Sequence, residues 1–378
     1  MDNGLDIVRT RCALALHAAL FHRPRRLQRL LVELARARSR GLDGRDLAAL
    51  AAEMLVPYGL SPTWDLAEAA LSWRQEPGRE FVWFGSEEYP NLLAEIADPP
   101  PLLFVDGNLS TLLNPQIAIV GSRKASPYGL RNASDFARAL GTAGLTVTSG
   151  LAIGVDAAAH RGALAADAGT VAVLGCGIDV MYPWSNRALA GEIVQRGGAI
   201  VSELPCGSPP RAGHFPRRNR LISGLARGVV VIEAAMTSGS ISTANHALEQ
   251  GREVFAVPGS IHSAQSEGCL ELLKQGACLV RGPDDVLQEL QGFQSVNSRT
   301  GPRKVGVERS PAALGRDEAA VLELCGWEPI SVEAVVDVSG LTVGRVSSIL
   351  STLEVEGYVQ SLAGGSYQRV RPIVSGQR

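Results

Sequence analysis

The sequence is short of the features that mark metalloproteins, disulfide scaffolds, membrane proteins and polycations. Its six cysteines (Cys12, Cys176, Cys206, Cys269, Cys278, Cys325) form no CxxC pair and show no regular spacing. That argues against a zinc site and a disulfide framework, and fits a reducing cytosol. No run of about 20 apolar residues occurs, so no membrane-spanning helix or anchor is expected. The apolar stretch Ala13–Phe21 is short, with Arg on both sides, unlike a secretory leader. Net charge is only −2, so any anion site must come from local clustering rather than from a generally basic surface. Nucleotide and hydrolase signatures are missing too. There is no GxxxxGK(S/T) and no GxSxG, and Gly175-Cys176-Gly177 begins a dinucleotide fingerprint whose sixth position is Val180 rather than Gly. No metal spacing and no internal repeat is present, so no metal, cofactor or catalytic residue is expected.

What is there suffices for a large core. With 378 residues, 46% of them hydrophobic, two or three domains are expected. Residues 1 to about 75 read as helical, with Leu27, Leu30, Leu31 and Leu34 at helical spacing. Seven arginines and one acid, Glu33, lie between Phe21 and Arg40; they read as a solvated helix face ahead of a nucleic-acid contact. A connector with short strands at Phe81–Phe84 and Leu102–Val105 surrounds the prolines 99–101. From Gln116 to about Leu290, apolar runs alternate with helical stretches. Strands are expected at Ile117–Val120, Leu145–Thr148, Val171–Leu174, Ile200–Ser202, Val229–Ile232, Val254–Val257 and Cys278–Val280. Such alternation implies an α/β fold, a Rossmann-like doubly wound, mostly parallel sheet. A linker at 291–316 leads to helices at Glu318–Leu324, Val332–Val338 and Thr342–Glu356, then two strands flanking Gly364-Gly365. That order makes a winged helix.

Four strand ends stand out. After the first strand come Gly121, Ser122 and Arg123, before a helix expected from Pro127 to about Leu140: a place to hold a phosphate. A second turn, Thr148–Asp156, leads to His160. Its glycines suit close helix–sheet packing, and Asp156 and His160 read as a cap and a hydrogen-bonded core histidine rather than ligands. The third segment holds Phe215, Arg217, Arg218, Asn219 and Arg220. Between Glu203 and Glu233 there is no acid, but there are five arginines. Clustered Arg beside an aromatic ring suits single-stranded nucleic acid. Pairing of some of these arginines with carboxylates is the competing reading, and Glu203 and Glu233 are read as holding arginines or backbone N–H groups. The fourth is Ser238, Gly239 and Ser240, a helix start open to an anion or capped by its own hydroxyls.

In order along the chain, Ile117–Arg123, Tyr128-Gly129, Ser149–Ala152, Gly154–Asp156, Ala159-His160, Gly175–Gly177, Tyr182-Pro183, Ser202-Glu203, His214–Pro216, Arg218–Gly224, Ser238–Ser240 and Val257–Gly259 resemble the DNA-processing protein A (DprA, or Smf) family. The resemblance covers about 180 residues of the middle region. It implies a helical, SAM-like domain at 1–78, a Rossmann-like DNA-binding domain at 79–290, a linker at 291–316 and a winged helix at 317–378. It also implies a cytoplasmic, non-enzymatic protein that binds single-stranded DNA. Such a protein protects incoming strands in natural transformation and loads RecA onto them for homologous recombination. It would form a homodimer through the Rossmann-like domain, with single-stranded-DNA-binding protein as a further partner. Carried onto this chain, the implied contacts are Gly121, Ser122, Arg123, the Phe215–Arg220 segment and Ser238–Ser240, although the family varies at Arg217.

Two alternatives accompany that reading. One is a nucleotide enzyme of the lysine-decarboxylase-like phosphoribohydrolase type, but the position of its catalytic Glu holds His246 here. The other is a mononucleotide-sensing module. The winged helix carries eight acids against Arg345, Arg369 and Arg371 between Asp317 and Pro372. Duplex binding needs several phosphate contacts, so protein contact or regulation is expected of it.

Overall fold

The computed structural model describes residues 3–39, 44–290, 315–326, 329–362 and 365–370. The linker expected at 291–316 lies outside them except for its last two residues, as does Gly364. The described residues fall into two compact units, one from residues 3–124 and 133–290, the other from residues 125–132 and 315–370.

The first unit opens with helices α1 (Asn3–Leu20), α2 (Pro24–Ser39), α3 (Gly44–Leu55) and α4 (Trp64–Trp73). Leu27, Leu30 and Leu34 of α2 recur at helical spacing and are buried against Leu16, Leu20, Leu47 and Leu55. Pro24 opens α2, where its missing N–H costs nothing. The alternating region follows as β1 (Arg79–Trp83), α5 (Asn91–Ala94), β2 (Leu102–Gly107), β3 (Gln116–Gly121), α6 (Pro127–Thr142, whose first six residues are grouped with the second unit), β4 (Thr146–Ser149), α7 (Val155–Ala165) and β5 (Thr170–Val173). It continues as α8 (Arg187–Gln195), β6 (Ala199–Ser202), α9 (His214–Leu225), β7 (Gly228–Ile232), α10 (Gly239–Glu249), β8 (Glu253–Ala256), α11 (Glu267–Lys274), β9 (Cys278–Leu279) and α12 (Pro283–Glu289).

The sheet order is β1-β2-β6-β5-β4-β3-β7-β8-β9. Every pairing from β6 across to β9 is parallel, and the seven expected strands end within a residue or two of their expected bounds. The connector differs from its reading. Its two strands join this sheet, β2 antiparallel to β6 and β1 antiparallel to β2. Leu102–Val105 is apolar on both faces of the strand and is fully buried; only a place inside a covered sheet hides both sets of side chains. Leu14, Ala67 and Trp73 of the helices share a core with Phe81, Phe104 and Ala172 of the sheet. Trp73, Phe81 and Phe104 pack with ring centroids 5.5–6.0 Å apart.

The second unit contains α13 (Arg316–Leu324), β10 (Ile330–Ser331), α14 (Val332–Ser339), α15 (Val343–Val355), β11 (Val359–Leu362) and β12 (Ser366–Arg369), with strand order β10-β12-β11. This is a winged helix; β10 was not expected from the sequence. The α15 stripe Val346, Ile349, Leu350 and Leu353 is buried. Arg345 on the same helix pairs with Asp317 at 3.1 Å. Among the described residues no single helix is long and apolar enough to cross a membrane.

Two histidines tie packing to pH. On α1, His17 donates from Nε2 to the Glu203 carbonyl at 3.0 Å, and burial brings its pKa down to about 4. On α7, Nδ1 of His160 donates to Thr170 Oγ1 at 2.7 Å, because that hydroxyl is itself spent on the Val147 carbonyl. Burial lowers His160 to about 3. In the unfolded chain both titrate near 6.5, so acid protonates the unfolded state first. The stability of the first unit is therefore expected to be full above pH 6.5 and to fall as pH drops towards 4. His17 accounts for about 3 kcal/mol of that fall. Urea melts across this range check it: His17→Gln should show a visibly shallower pH dependence, and an unchanged slope would contradict the assignment.

Candidate nucleic-acid interface

A doubly wound sheet opens a crevice where the chain order reverses, at the carboxyl ends of the strands. Here the chain winds outward from β3 to β6 and then returns to β7 on the other side of β3. A cavity of about 750 Å³ lies at that point. It is lined by Gly121–Lys124 after β3, Ala152 and Asp156 after β4, Tyr182 after β5, one face of α9, and Thr237–Ser240 after β7.

The β3 turn divides its duties. A Cβ on Gly121 would lie 1.8 Å from the Ile232 carbonyl oxygen of β7, so only glycine lets the strands meet there. Ser122 faces inward: its hydroxyl donates to Gln265 Oε1 at 2.8 Å and accepts from the Lys124 N–H at 3.1 Å. Arg123 and Lys124 are exposed. The Arg123 guanidinium sits 5.6 Å from the centroid of the Phe215 ring, and the Tyr182 ring is 5.6 Å from the same ring. Lys124 is absent from the sequence-based set; its one signal was adjacency to Arg123.

The arginine-rich segment is a helix rather than a strand-end turn, and this splits the block of charge. Phe215, Arg218, Asn219 and Ile222 stand at i, i+3, i+4 and i+7 on one face and line the cavity. Arg217 and Arg220 fall outside that face. Arg217 pairs with Glu203 at 3.2 Å, donates to the Phe21 carbonyl and lies 5.6 Å over the Phe21 ring. Arg220 also pairs with Glu203, and with Asp98 at 3.7 Å. Glu203 is only 4% exposed, and a carboxylate so buried requires cationic partners. The structure therefore does not bring Arg217 and Arg220 to the cavity.

Arg218 lines the cavity but is not free. Its guanidinium donates to the carbonyls of Gly150, at 2.8 Å, and Val173, and burial pushes its pKa down to about 10. A Cβ on Gly150 would lie 2.5 Å from it, so the glycine makes its seat. Asp156 accepts from the N–H groups of Gly150 at 3.1 Å and Ala152 at 3.3 Å. Burial raises the Asp156 pKa, while the two N–H donors and the guanidinium favour its ionised form. His160 turns to Thr170 instead, so the two do not converge on a ligand. Asn219 donates to the Gly239 carbonyl at 3.0 Å, fixing α9 to the start of α10. Ser238 caps that helix, accepting from the Ser240 N–H at 3.3 Å, and its hydroxyl lies 2.6 Å from that of Ser240. The N-terminal end of α10, with its N–H groups and positive dipole end, forms one wall.

Other sequence candidates lead elsewhere. Cys176 donates to the Val180 carbonyl at 3.0 Å and burial raises its thiol to about 11, so it is a packed thiol rather than a nucleophile. His246 lies 3.3 Å from Glu249 and does not line the cavity. Among the described residues no group of three or more His, Cys, Asp or Glu could hold a metal ion.

Structural and free cations can be separated by experiment. Arg218→Ala leaves the buried Gly150 and Val173 carbonyls without their donor and should cost about 2–4 kcal/mol of stability. Arg123→Ala should stay within about 0.5 kcal/mol of the parent. Denaturant melts of the two variants check this, and equal losses would refute the division.

Comparison with known proteins agrees with this architecture. The family model described as DNA recombination-mediator protein A matches residues 80–291, and that of the DprA winged helix domain matches residues 307–365. Protein Smf of Escherichia coli (strain K12) is 43% identical over 305 residues, covering 80% of this chain and 81% of its own length. DNA processing protein DprA of Streptococcus pneumoniae is 46% identical over 203 residues, 54% of this chain and 71% of that protein. Among solved structures, DprA from Streptococcus pneumoniae aligns with a TM-score of 0.57 at 36% identity, covering 69% of this chain and 93% of that one. DNA processing protein A from Helicobacter pylori, solved for its single-stranded DNA binding mode, aligns with a TM-score of 0.51 at 31% identity, covering 56% and 95%. Matched along its sheet and again at its winged helix, the chain belongs to the DNA recombination-mediator protein A (DprA/Smf) family.

Proposed function

We propose that the chain holds single-stranded DNA in the sheet crevice, without cleaving it, and hands it to RecA in natural transformation and homologous recombination. The observation that carries this reading is Arg123 lying over Phe215 beside the N-terminal end of α10. A phosphate meets Arg123, Lys124 and the Gly239 N–H at the start of α10, while a base stacks on Phe215. Gly121, Ser122, Arg218 and Asn219 shape that site, and Arg217 and Arg220 brace α9 behind it. The single-stranded DNA binding mode of the Helicobacter pylori relative supports the ligand, and the description of the family as recombination mediators supports RecA as recipient.

The remaining parts of the proposal are a cytoplasmic homodimer formed through the Rossmann-like domain, protection of incoming strands, and exchange with single-stranded-DNA-binding protein. Three segments carry it: a helical 1–78, a DNA-holding 79–290 and, after the linker 291–316, a winged helix at 317–378. A non-enzymatic role is favoured because Asp156, the one carboxylate among the described lining residues, is committed to two backbone N–H groups. The winged helix is assigned to protein contact. Its Arg345 is spent on Asp317, while Val338 and Val343 are 69% and 61% exposed.

Fluorescence anisotropy with a length series of single- and double-stranded oligonucleotides at two salt concentrations tests the reading. Affinity should rise with single-strand length and fall steeply with salt. Arg123→Glu should weaken short-strand binding about tenfold or more, and Arg161→Glu, at an exposed position of α7, far less. Affinity that stops growing at one nucleotide would favour mononucleotide sensing, and base release from nucleoside monophosphates would favour the enzyme. Truncation after Leu290 should leave duplex binding largely unchanged; loss of most of it would sink the protein-contact role.

A further inference from the structure

A second cavity, of about 1330 Å³, lies in the first unit where α2 faces the β1 edge of the sheet. We propose that it holds a further segment of single-stranded nucleic acid, separate from the strand in the crevice. The site stands on its own observations; its ligand class rests on the single-strand reading above.

The basic run of α2 splits by helical phase as the α9 block does. Arg25, Gln28, Arg29, Val32 and Arg36 stand at i, i+3, i+4, i+7 and i+11 and line this cavity. Arg26 turns away and lies 5.3 Å over the Tyr58 ring. Arg9 and Arg74 enter from α1 and the end of α4, so five arginines line the space against one carboxylate, Glu33, among the described residues. Two are engaged: Arg25 donates to the Ala97 carbonyl at 3.1 Å, and Arg74 pairs with Glu80 at 2.8 Å. Arg9, Arg29 and Arg36 make no hydrogen bond or ion pair among the described residues. A guanidinium left unpaired beside others of like charge is a phosphate receptor with its repulsion already in place.

Geometry favours a polymer over a small anion. Arg29 and Arg36 are about 10 Å apart along the helix axis, a track rather than a point. The volume exceeds the about 300–1,000 Å³ usual for a small-molecule pocket. Trp83 and Phe84 supply ring surface beside the cations, with Phe84 42% exposed, the pairing that single strands use. A peptide partner would be anchored in an enclosed apolar socket, whereas Phe84 and Val32, the latter 51% exposed, lie open.

The test uses the full chain and oligothymidylates of about 6 and about 30 nucleotides. Arg29→Glu/Arg36→Glu should leave the short strand unaffected and weaken the long one about tenfold, with a log–log salt slope shallower by about 1.4 for two lost phosphate contacts. Arg29→Gln/Arg36→Gln should lose part of that, with an unchanged melting temperature as the folding control. Undiminished long-strand affinity in both variants would overturn the proposal. So would an Asp-rich, Phe-containing peptide that binds the parent and not the variants, which would assign the cavity to protein. Arg123→Glu separates the two readings: if it leaves the short strand tightly bound, the crevice assignment fails, while the length-dependent loss in the α2 variants still reports on this cavity.

Discussion

The guanidinium of Arg218 is the piece on which the geometry of the crevice depends. It reaches from α9 to carbonyls at the ends of β4 and β5 and lies beside Asp156 on α7. Strand ends in a parallel sheet leave carbonyls that need donors once water is excluded, and α9 supplies them from one side chain. A charge so buried is costly alone, but here two carbonyls and a carboxylate compensate it. With α9 locked in this way, Phe215 meets Arg123, and Asn219 reaches the first turn of α10.

A similar economy operates behind the helix. Glu203 is buried and takes two arginines from α9, and its backbone carbonyl takes His17 from α1. The neutral His17 hydrogen bond and the Arg217 donation to the Phe21 carbonyl tie the N-terminal helices to the sheet alongside the aromatic packing of Trp73, Phe81 and Phe104. The arginines of the region thus serve two purposes. Those in contact with carboxylates or carbonyls set the frame, and those without partners offer charge to solvent and to ligands. In a chain of net charge −2, the clustering of uncommitted cations decides where an anion is drawn.

Much of the fold was legible in advance because its signals are local. Short apolar runs bounded by Gly predict buried parallel strands, and the period of α15 predicts its buried face; both kinds of signal need only neighbours in sequence. The Gly121-Ser122-Arg123 turn and the Ser238 cap were legible for the same reason. The branch points were not. Leu102–Val105 read as a connector because nothing in its own sequence names β6 as its partner. The basic block read as one field because its charges were counted along the chain and not around a helix.

The sequence by itself determined the alternation of strands and helices, the order of the motifs and the residue types available at each strand end. Those follow from periodicity and from backbone chemistry, which act over a few residues. Tertiary structure alone decided which cations are free. Arg217 and Arg220 are claimed by a glutamate more than a dozen residues away in sequence, Arg218 by carbonyls of two strands, and Ser122 by Gln265. Arg123 and Lys124 remain exposed at the crevice. Electrostatic partnership is a matter of distance in space, and the fold, by burying Glu203 and Asp156, sets which charges must be satisfied first.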